Sequence, residues 1–133
     1  MVREEAVDWL EEAVADLERA VRAEGVGDYS LACFMAQQAV EKAFKACYIG
    51  LLRRRPPRAH DLVMLYSELK GTLSLPGDVE EALPELSQYY VTARYPNAGL
   101  RRPSASFSRA QAVRAIEVAR GVVERVREAL ATP

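Results

Sequence analysis

Apolar residues return on a seven-residue period along the first segment of the chain, from about Arg3 to Glu24. The repeating columns are Ala6, Ala13 and Ala20; Val7, Val14 and Val21; and Leu10 and Leu17. Because positions seven apart lie on the same side of an α-helix, this spacing predicts one amphipathic helix whose three columns share a face. The alanine column would let a neighbouring helix approach closely.

The second segment, from about Tyr29 to Leu52, is apolar over most of the circumference of a helix. Gly25 and Gly27 end the first helix, and Asp28 is predicted to cap the second. A helix that is apolar on nearly every side belongs in the middle of a bundle or at a subunit interface. The short connection makes the first two helices antiparallel neighbours.

Three more helices are predicted after this pair. A basic, proline-containing loop from Arg53 to Ala59 precedes a short helix, from about His60 to Lys70. Asp78 is predicted to cap a fourth helix that runs to about Arg94. The last helix is predicted to start after Ser108, which follows a long irregular loop, and to end near Leu130.

Each of these helices has a predicted inward face. The positions are Leu62, Leu65, Tyr66 and Leu69 in the third helix; Val79, Leu83, Leu86, Tyr90 and Ala93 in the fourth; and Ala112, Ile116, Ala119, Val123, Val126 and Leu130 in the last. Pro84 is expected to kink the fourth helix or to mark its start. Since no strand-length alternating run occurs, the chain is predicted to form an all-α, up-and-down four- to five-helix bundle, a single domain over residues 1–133.

The positions of the two cysteines and the composition of the first residues predict the cellular compartment. Cys33 and Cys47 would lie about 21 Å apart along one helix, beyond disulfide reach, so we expect free core thiols in a reducing cytoplasm. The first residues lack the basic region of a signal peptide, and no apolar run approaches the roughly 20 residues of a bilayer span. The expectation is a cytoplasmic protein without a membrane segment.

Charge is distributed unevenly along the chain. The first 28 residues hold nine acidic residues and three arginines, whereas residues 42–60 and 86–116 hold cations and no acid. The arginines singled out in these stretches are Arg54, Arg55, Arg94, Arg101 and Arg102. Arginines interleaved with aromatic residues bind phosphates and stack on bases, which predicts a cationic surface for a nucleotide or RNA. The alternative is that these arginines are solvated or pair with the acidic first helix of a neighbour.

The sequence excludes several kinds of site. It contains one histidine and neither a metal-ligand cluster nor a glycine-rich phosphate loop, so no metal and no cofactor are predicted. His60 either packs beside Asp61 at the start of a helix or acts as an acid, a base or a phosphate contact. Arg94 either complements the dipole at the end of the fourth helix or binds a phosphate or a partner.

Two polar features interrupt the apolar second helix. Gln37 falls on the same stripe as Cys33 and Phe44, and a buried amide needs partners, so Gln37 is predicted to fix a neighbouring loop. Glu41 and Lys45 form an i,i+4 pair, which is interpreted as structural.

Three motifs together resemble the HEPN domain family. They are Asp28-Tyr29-Ser30 through Phe34, then Gln37-Gln38-Ala39-Val40-Glu41-Lys42-Ala43-Phe44-Lys45-Ala46; His60-Asp61-Leu62; and Tyr90 with Arg94-Tyr95-Pro96-Asn97. Their order and spacing cover nearly the whole chain. The resemblance implies a small helical bundle that dimerises. It also implies a function with nucleotides or RNA, often beside a minimal nucleotidyltransferase in a toxin–antitoxin pair.

Many HEPN proteins are metal-independent RNases in which an arginine is followed four to six residues later by a histidine. Arg54 or Arg55 with His60 has this spacing, but it lies before the third helix rather than near the fourth. Near the fourth helix, Arg94 is followed by no histidine. The resemblance thus leaves open whether the chain is catalytic.

Three hypotheses follow. In the first, the chain binds a nucleotide or RNA through His60, Arg94, Tyr95 and Asn97, and the other singled-out arginines (Arg54, Arg55, Arg101 and Arg102) contact phosphates. In the second it is an RNase with His60 as acid or base and Arg55 or Arg94 as phosphate stabiliser. In the third it is a non-catalytic interaction module. The first two require arginines from separate segments to converge near His60 and Tyr95.

Overall fold

Five α-helices account for most of the residues that the computed structural model describes, which are 2–99 and 101–131. They are α1 (Val2–Gly25), α2 (Tyr29–Gly50), α3 (Leu62–Ser67), α4 (Gly77–Thr92) and α5 (Arg109–Ala131). Two short 3₁₀ turns, Pro96–Ala98 and Pro103–Ala105, interrupt the loop between α4 and α5. No strand occurs within those ranges, so the predicted all-α class is confirmed.

Helix α2 lies in the interior of the bundle and packs against α1, α3, α4 and α5. Phe44, Tyr48 and Val40 are among its fully buried residues, and one core cluster includes side chains from all five helices. The prediction of a central second helix is therefore confirmed. Asp28 caps it through a hydrogen bond from the Leu31 N–H to the Asp28 carboxylate.

The alanine column of α1 faces α2, as its spacing predicted. Ala6, Ala13 and Ala20 are all buried, and α1 and α2 form the most extensive helix pair of the bundle. Two members of the valine column lie outside this contact, since Val7 and Val21 are 43% and 41% exposed, whereas Val14 is partly buried against the core. The expectation of one common apolar face was therefore wrong for Val7 and Val21.

Helices α3 and α4 begin at different residues from those predicted. Asp61 accepts hydrogen bonds from the N–H groups of Val63 and Met64, so α3 starts at Leu62 and His60 lies outside it. Helix α4 begins at Gly77 after Pro76, which places Asp78 in its first turn rather than at its cap. Pro84 lies within α4, and the helix ends at Thr92, just before Arg94.

The start of α5 is a capping box. The Gln111 N–H donates to Ser108 Oγ (3.2 Å), and the Ser108 N–H donates to Gln111 Oε1 (2.9 Å). This reciprocal pair satisfies two N–H groups at the helix end. The predicted Ser108 cap is confirmed.

Both cysteines are free and buried, as predicted. Burial raises the pKa of the Cys33 thiol to about 12, with the nearby Glu85 acting in the same direction. Burial likewise raises the pKa of the Cys47 thiol to about 12. Since the thiolate is the reactive form, both behave as core thiols.

Candidate functional site

The segment that carries His60 is attached to α2 and α4 by hydrogen bonds. Gln37, which is fully buried in α2, donates from Nε2 to the carbonyl oxygen of His60 at 3.0 Å. The N–H of Leu62 donates to Ser87 Oγ of α4 at 3.0 Å. The expectation that Gln37 fixes a neighbouring loop is confirmed, and the loop that it fixes carries the single histidine.

The His60 imidazole contacts a buried carboxylate on one edge. Its Nδ1 lies 3.0 Å from Glu41 Oε1, and Glu41 is only 5% exposed. The other carboxylate oxygen, Oε2, accepts a hydrogen bond from Lys45 Nζ at 3.0 Å. Glu41 therefore connects the buried ammonium group of Lys45 to the His60 imidazole. The Glu41–Lys45 pair, which was interpreted as structural, is one part of this larger network.

Tyr90 supports the imidazole from its flat side. The two ring centres are 3.8 Å apart and their planes are inclined by 13°, which is a stacked arrangement. The His60 side chain is 46% exposed, and it lines an open groove of about 570 Å³ between α3 and α4. With Nδ1 occupied by Glu41, Nε2 is the ring nitrogen available to a ligand.

The Arg94 guanidinium packs against the same Tyr90 ring. Its Cζ lies 4.3 Å from the centre of the Tyr90 ring and 4.8 Å from those of Phe34 and Tyr95. Nε donates to the Tyr90 carbonyl oxygen at 2.7 Å. Across the described parts of the chain, no carboxylate pairs with Arg94. Its terminal nitrogens are oriented by three aromatic rings and remain available to an anion, a geometry suited to a phosphate.

The loop after α4 places four more of the predicted residues at the surface. Tyr95 is 46% exposed beside Arg94, and Asn97 is exposed in the 3₁₀ turn Pro96–Ala98. Arg101 and Arg102 are exposed just before the turn at Pro103. None of these four side chains is buried by the rest of the described chain, so each is accessible to a partner.

The basic loop before His60 is arranged differently from this cluster. Arg54 pairs with Glu68 at the far end of α3, and its Cζ lies 5.1 Å from the centre of the Tyr48 ring. The hydrogen bond from Arg54 lowers the pKa of the Glu68 carboxyl, and the one from Tyr48 acts in the same direction. Arg55 is exposed, and no hydrogen bond or ion pair joins it to His60 within the described residues. Arg94 and His60 thus contact the same Tyr90 ring, whereas Arg54 is directed to Glu68. The expected convergence of arginines from two separate segments is therefore not found here, because in the described residues Arg94 alone of the arginines singled out contacts this ring.

The groove beside His60 has apolar walls and polar groups. Its lining is His60, Asp61, Val63, Pro84, Ser87, Gln88, Tyr90, Val91 and Thr92. A groove of this volume is within the range of small-ligand sites. Among the described residues, no group of three or more acidic, histidine or cysteine side chains could hold a metal ion.

Three residues that the motifs include were not predicted to have a role in this cluster: Glu41, Tyr90 and Phe34. A signal for Glu41 was present, because a carboxylate within an apolar, buried helix requires partners beyond its i+4 lysine. The helical pattern placed Tyr90 on the inward face of α4, but Tyr89 is the buried member of the pair, at 5% exposure, and Tyr90 is only partly buried.

The sequence and the fold are both similar to those of known HEPN proteins. The HEPN domain family model matches residues 6–129. A crystal structure of the protein TT1696 from Thermus thermophilus is 37% identical, with a TM-score of 0.85, and the match covers 98% of this chain and 100% of that chain. ST0689, described as an archaeal HEPN homologue, is 28% identical with a TM-score of 0.77, covering 94% and 97% of the two chains.

A HEPN domain protein from Thermotoga maritima, TM0613, is 25% identical with a TM-score of 0.73, and the match covers 95% of this chain and 99% of that chain. No curated protein sequence matched the chain. None of the helices within the described ranges has the length and hydropathy that crossing a bilayer requires.

Proposed function

Because this chain belongs to the HEPN domain family, we propose that it binds RNA or a nucleotide through the cluster of His60, Tyr90 and Arg94. The observation that carries the proposal is the Arg94 guanidinium, which is oriented by three aromatic rings and has no carboxylate partner in the described residues. An arginine held in this way recognises a phosphate, and the exposed Tyr95 ring beside it offers a surface on which a base can stack.

The remaining binding residues have secondary roles in this proposal. Asn97, Arg101 and Arg102 lie exposed in the loop that follows Arg94, where they can reach the backbone of a longer RNA. Arg55 is equally exposed, on the loop before His60. Arg54 contributes least, since its guanidinium already pairs with Glu68.

Replacing Arg94 with alanine is expected to weaken RNA binding by roughly 10- to 100-fold. Loss of a charge-assisted contact costs about 1.5–3 kcal/mol, and each 1.4 kcal/mol is about tenfold in affinity. Fluorescence anisotropy with a labelled single-stranded RNA, at several salt concentrations, measures the effect. Wild-type affinity should fall as salt rises, because phosphate contacts release counterions.

The matched control is Arg120→Ala, which removes an exposed arginine from α5. This variant should bind RNA nearly as well as the wild type. Equal RNA affinity of the wild type, Arg94→Ala and Arg120→Ala would show that Arg94 does not take part in RNA binding. An absence of binding at low salt would leave the third hypothesis, a non-catalytic interaction module.

A second candidate function is metal-independent RNA cleavage, and the contact between Glu41 and His60 Nδ1 favours it. That contact occupies Nδ1 and leaves Nε2 as the proton acceptor of a residue that lines the groove. There it could take the proton of a 2′-hydroxyl as the O2′–P bond forms and the P–O5′ bond breaks. The 5′-oxygen would regain a proton from His60, while Arg94 stabilises the charge on the pentavalent phosphate.

The proposal also includes the assembly. We expect a cytoplasmic homodimer, with residues 1–133 as one domain, acting with a minimal nucleotidyltransferase in a toxin–antitoxin pair. The exposed Val7 and Val21 support self-association, because they leave two apolar side chains uncovered along α1, fourteen residues apart. Light scattering should give a mass near twice 14.8 kDa. A mass of 14.8 kDa at micromolar concentration would contradict the dimer.

A further inference from the structure

We infer that Glu41 is a positioning residue that keeps the proton of neutral His60 on Nδ1, so that Nε2 is the atom presented to a ligand in the groove. The inference rests on the proposed function for the nature of that ligand. The placement of the proton is a property of the free protein.

The argument begins with the charge on Glu41. Its side chain is buried, and Oε2 accepts a hydrogen bond from Lys45 Nζ at 3.0 Å. The Lys45 side chain is itself only 9% exposed, and its ammonium lies 5.9 Å from the centre of the Trp9 ring. A buried carboxylate beside a buried ammonium is stabilised in its ionised form. An ionised carboxylate has no hydrogen to donate, so the hydrogen between Oε1 and Nδ1 belongs to His60.

The surroundings of Glu41 Oε1 lead to the same assignment. The side-chain amides of Gln37 and Gln38 both donate to this oxygen at 3.4 Å. Gln38 also donates to Gln37 Oε1 at 2.8 Å, which fixes the orientation of the Gln37 amide. Oε1 is therefore surrounded by donors, and Nδ1–H is the third member of that set.

The ring of His60 has little freedom to turn away from this arrangement. Gln37 holds the His60 backbone carbonyl at 3.0 Å, and Tyr90 stacks on the imidazole with ring centres 3.8 Å apart. Backbone, ring plane and Nδ1 are thus each fixed by a different neighbour. The remaining nitrogen, Nε2, has no hydrogen-bond partner in the described residues, and His60 lines the groove between α3 and α4.

The chemical consequence concerns which partner Nε2 can meet. In the neutral ring Nε2 accepts a hydrogen bond or a proton, as from a ribose hydroxyl. In the protonated ring it donates to an anionic oxygen such as that of a phosphate. The Glu41–Lys45 pair carries no net charge, so protonation of His60 adds a cation beside the Tyr90 ring that Arg94 also contacts. This alternation suits a group that acts on a phosphodiester.

The single histidine of the chain makes the inference testable without ambiguity. A long-range ¹⁵N–¹H correlation spectrum of the free wild-type protein, above the pH at which the ring is charged, reports which nitrogen carries the hydrogen. We expect a protonated Nδ1 and an unprotonated Nε2. A wild-type ring protonated on Nε2 would overturn the inference, and this measurement requires no variant.

Glu41→Gln provides the second measurement, since glutamine keeps the shape of the side chain and removes the obligatory acceptor. The proton should then shift from Nδ1, giving mixed or reversed tautomers. Glu68→Gln is the matched control, because it makes the same change at a carboxylate that does not contact His60, and it should keep the wild-type pattern. An unchanged pattern in Glu41→Gln would overturn the positioning role.

The two proposals can fail separately. If the wild type shows an Nδ1 proton that Glu41→Gln displaces, the positioning role stands even when no RNA binds. If RNA binds and Arg94→Ala abolishes it while the proton lies on Nε2, the proposed function stands and the role of Glu41 falls.

Discussion

Replacing Lys45 with methionine is expected to lower the free energy of unfolding by about 3 kcal/mol or more. Removing one partner of a buried ion pair leaves an uncompensated charge, which costs about 3–5 kcal/mol. Glu41 would remain buried, and of its partners only His60 could supply a positive charge. Urea unfolding followed by circular dichroism measures the change.

Lys42→Met is the matched control, three positions away on the same helix. Lys42 pairs with Asp16, which is 1% exposed, at 2.6 Å. Asp16 also accepts a hydrogen bond from Arg19 at 2.5 Å, so it keeps a cation when Lys42 is lost. We therefore expect Lys42→Met to cost clearly less than Lys45→Met. Equal losses would contradict the view that Glu41 depends on Lys45.

Replacing His60 with glutamine is expected to reduce RNA cleavage by about 10²- to 10⁴-fold, if cleavage is the function. That range is the usual contribution of a general acid or base. Glutamine can still donate to Glu41, so the variant removes proton transfer while leaving the carboxylate a partner. The assay follows cleavage of a labelled RNA in EDTA, where a metal-independent reaction continues at the wild-type rate.

Two arginine variants locate the phosphate stabiliser of that reaction. Arg94→Ala should lose most cleavage, because Arg94 shares the Tyr90 ring with His60. Arg55→Ala should retain cleavage, since Arg55 is exposed on the loop and has no hydrogen bond or ion pair to His60 in the described residues. The reverse result would favour the arginine–histidine spacing seen in the sequence. Full cleavage by His60→Gln would exclude His60 as the acid or base.

The fold could be predicted from the sequence because its information is local. The seven-residue alanine spacing, the nearly all-apolar second helix and the Ser108 cap each depend on residues within a few turns of one another. The misplaced starts of α3 and α4 are local as well. Asp61 rather than His60 occupies the N-terminal end of α3, and Pro76 rather than Asp78 precedes the first residue of α4, so each start lies two residues from its predicted position.

The site could be predicted only in part, because its contacts join distant positions. His60 and Arg94 were singled out by residue type, but the partner of the His60 ring, Glu41, lies 19 positions away. Arg54 was expected near His60 from its spacing, yet Glu68, 14 positions further along, pairs with it. Tyr89 and Tyr90 are adjacent, and which of them is buried depends on how α4 is rotated against the rest of the bundle.

The central claim is that RNA meets this protein at His60, Tyr90 and Arg94. Titrating a short single-stranded RNA into ¹⁵N-labelled protein at low salt, and recording the amide chemical shifts, tests that claim most directly. The account predicts that the largest changes lie at and around these three residues, with smaller ones along the loop to Arg102. Changes concentrated on the outer faces of α1 or α5, or no changes at all, would contradict it.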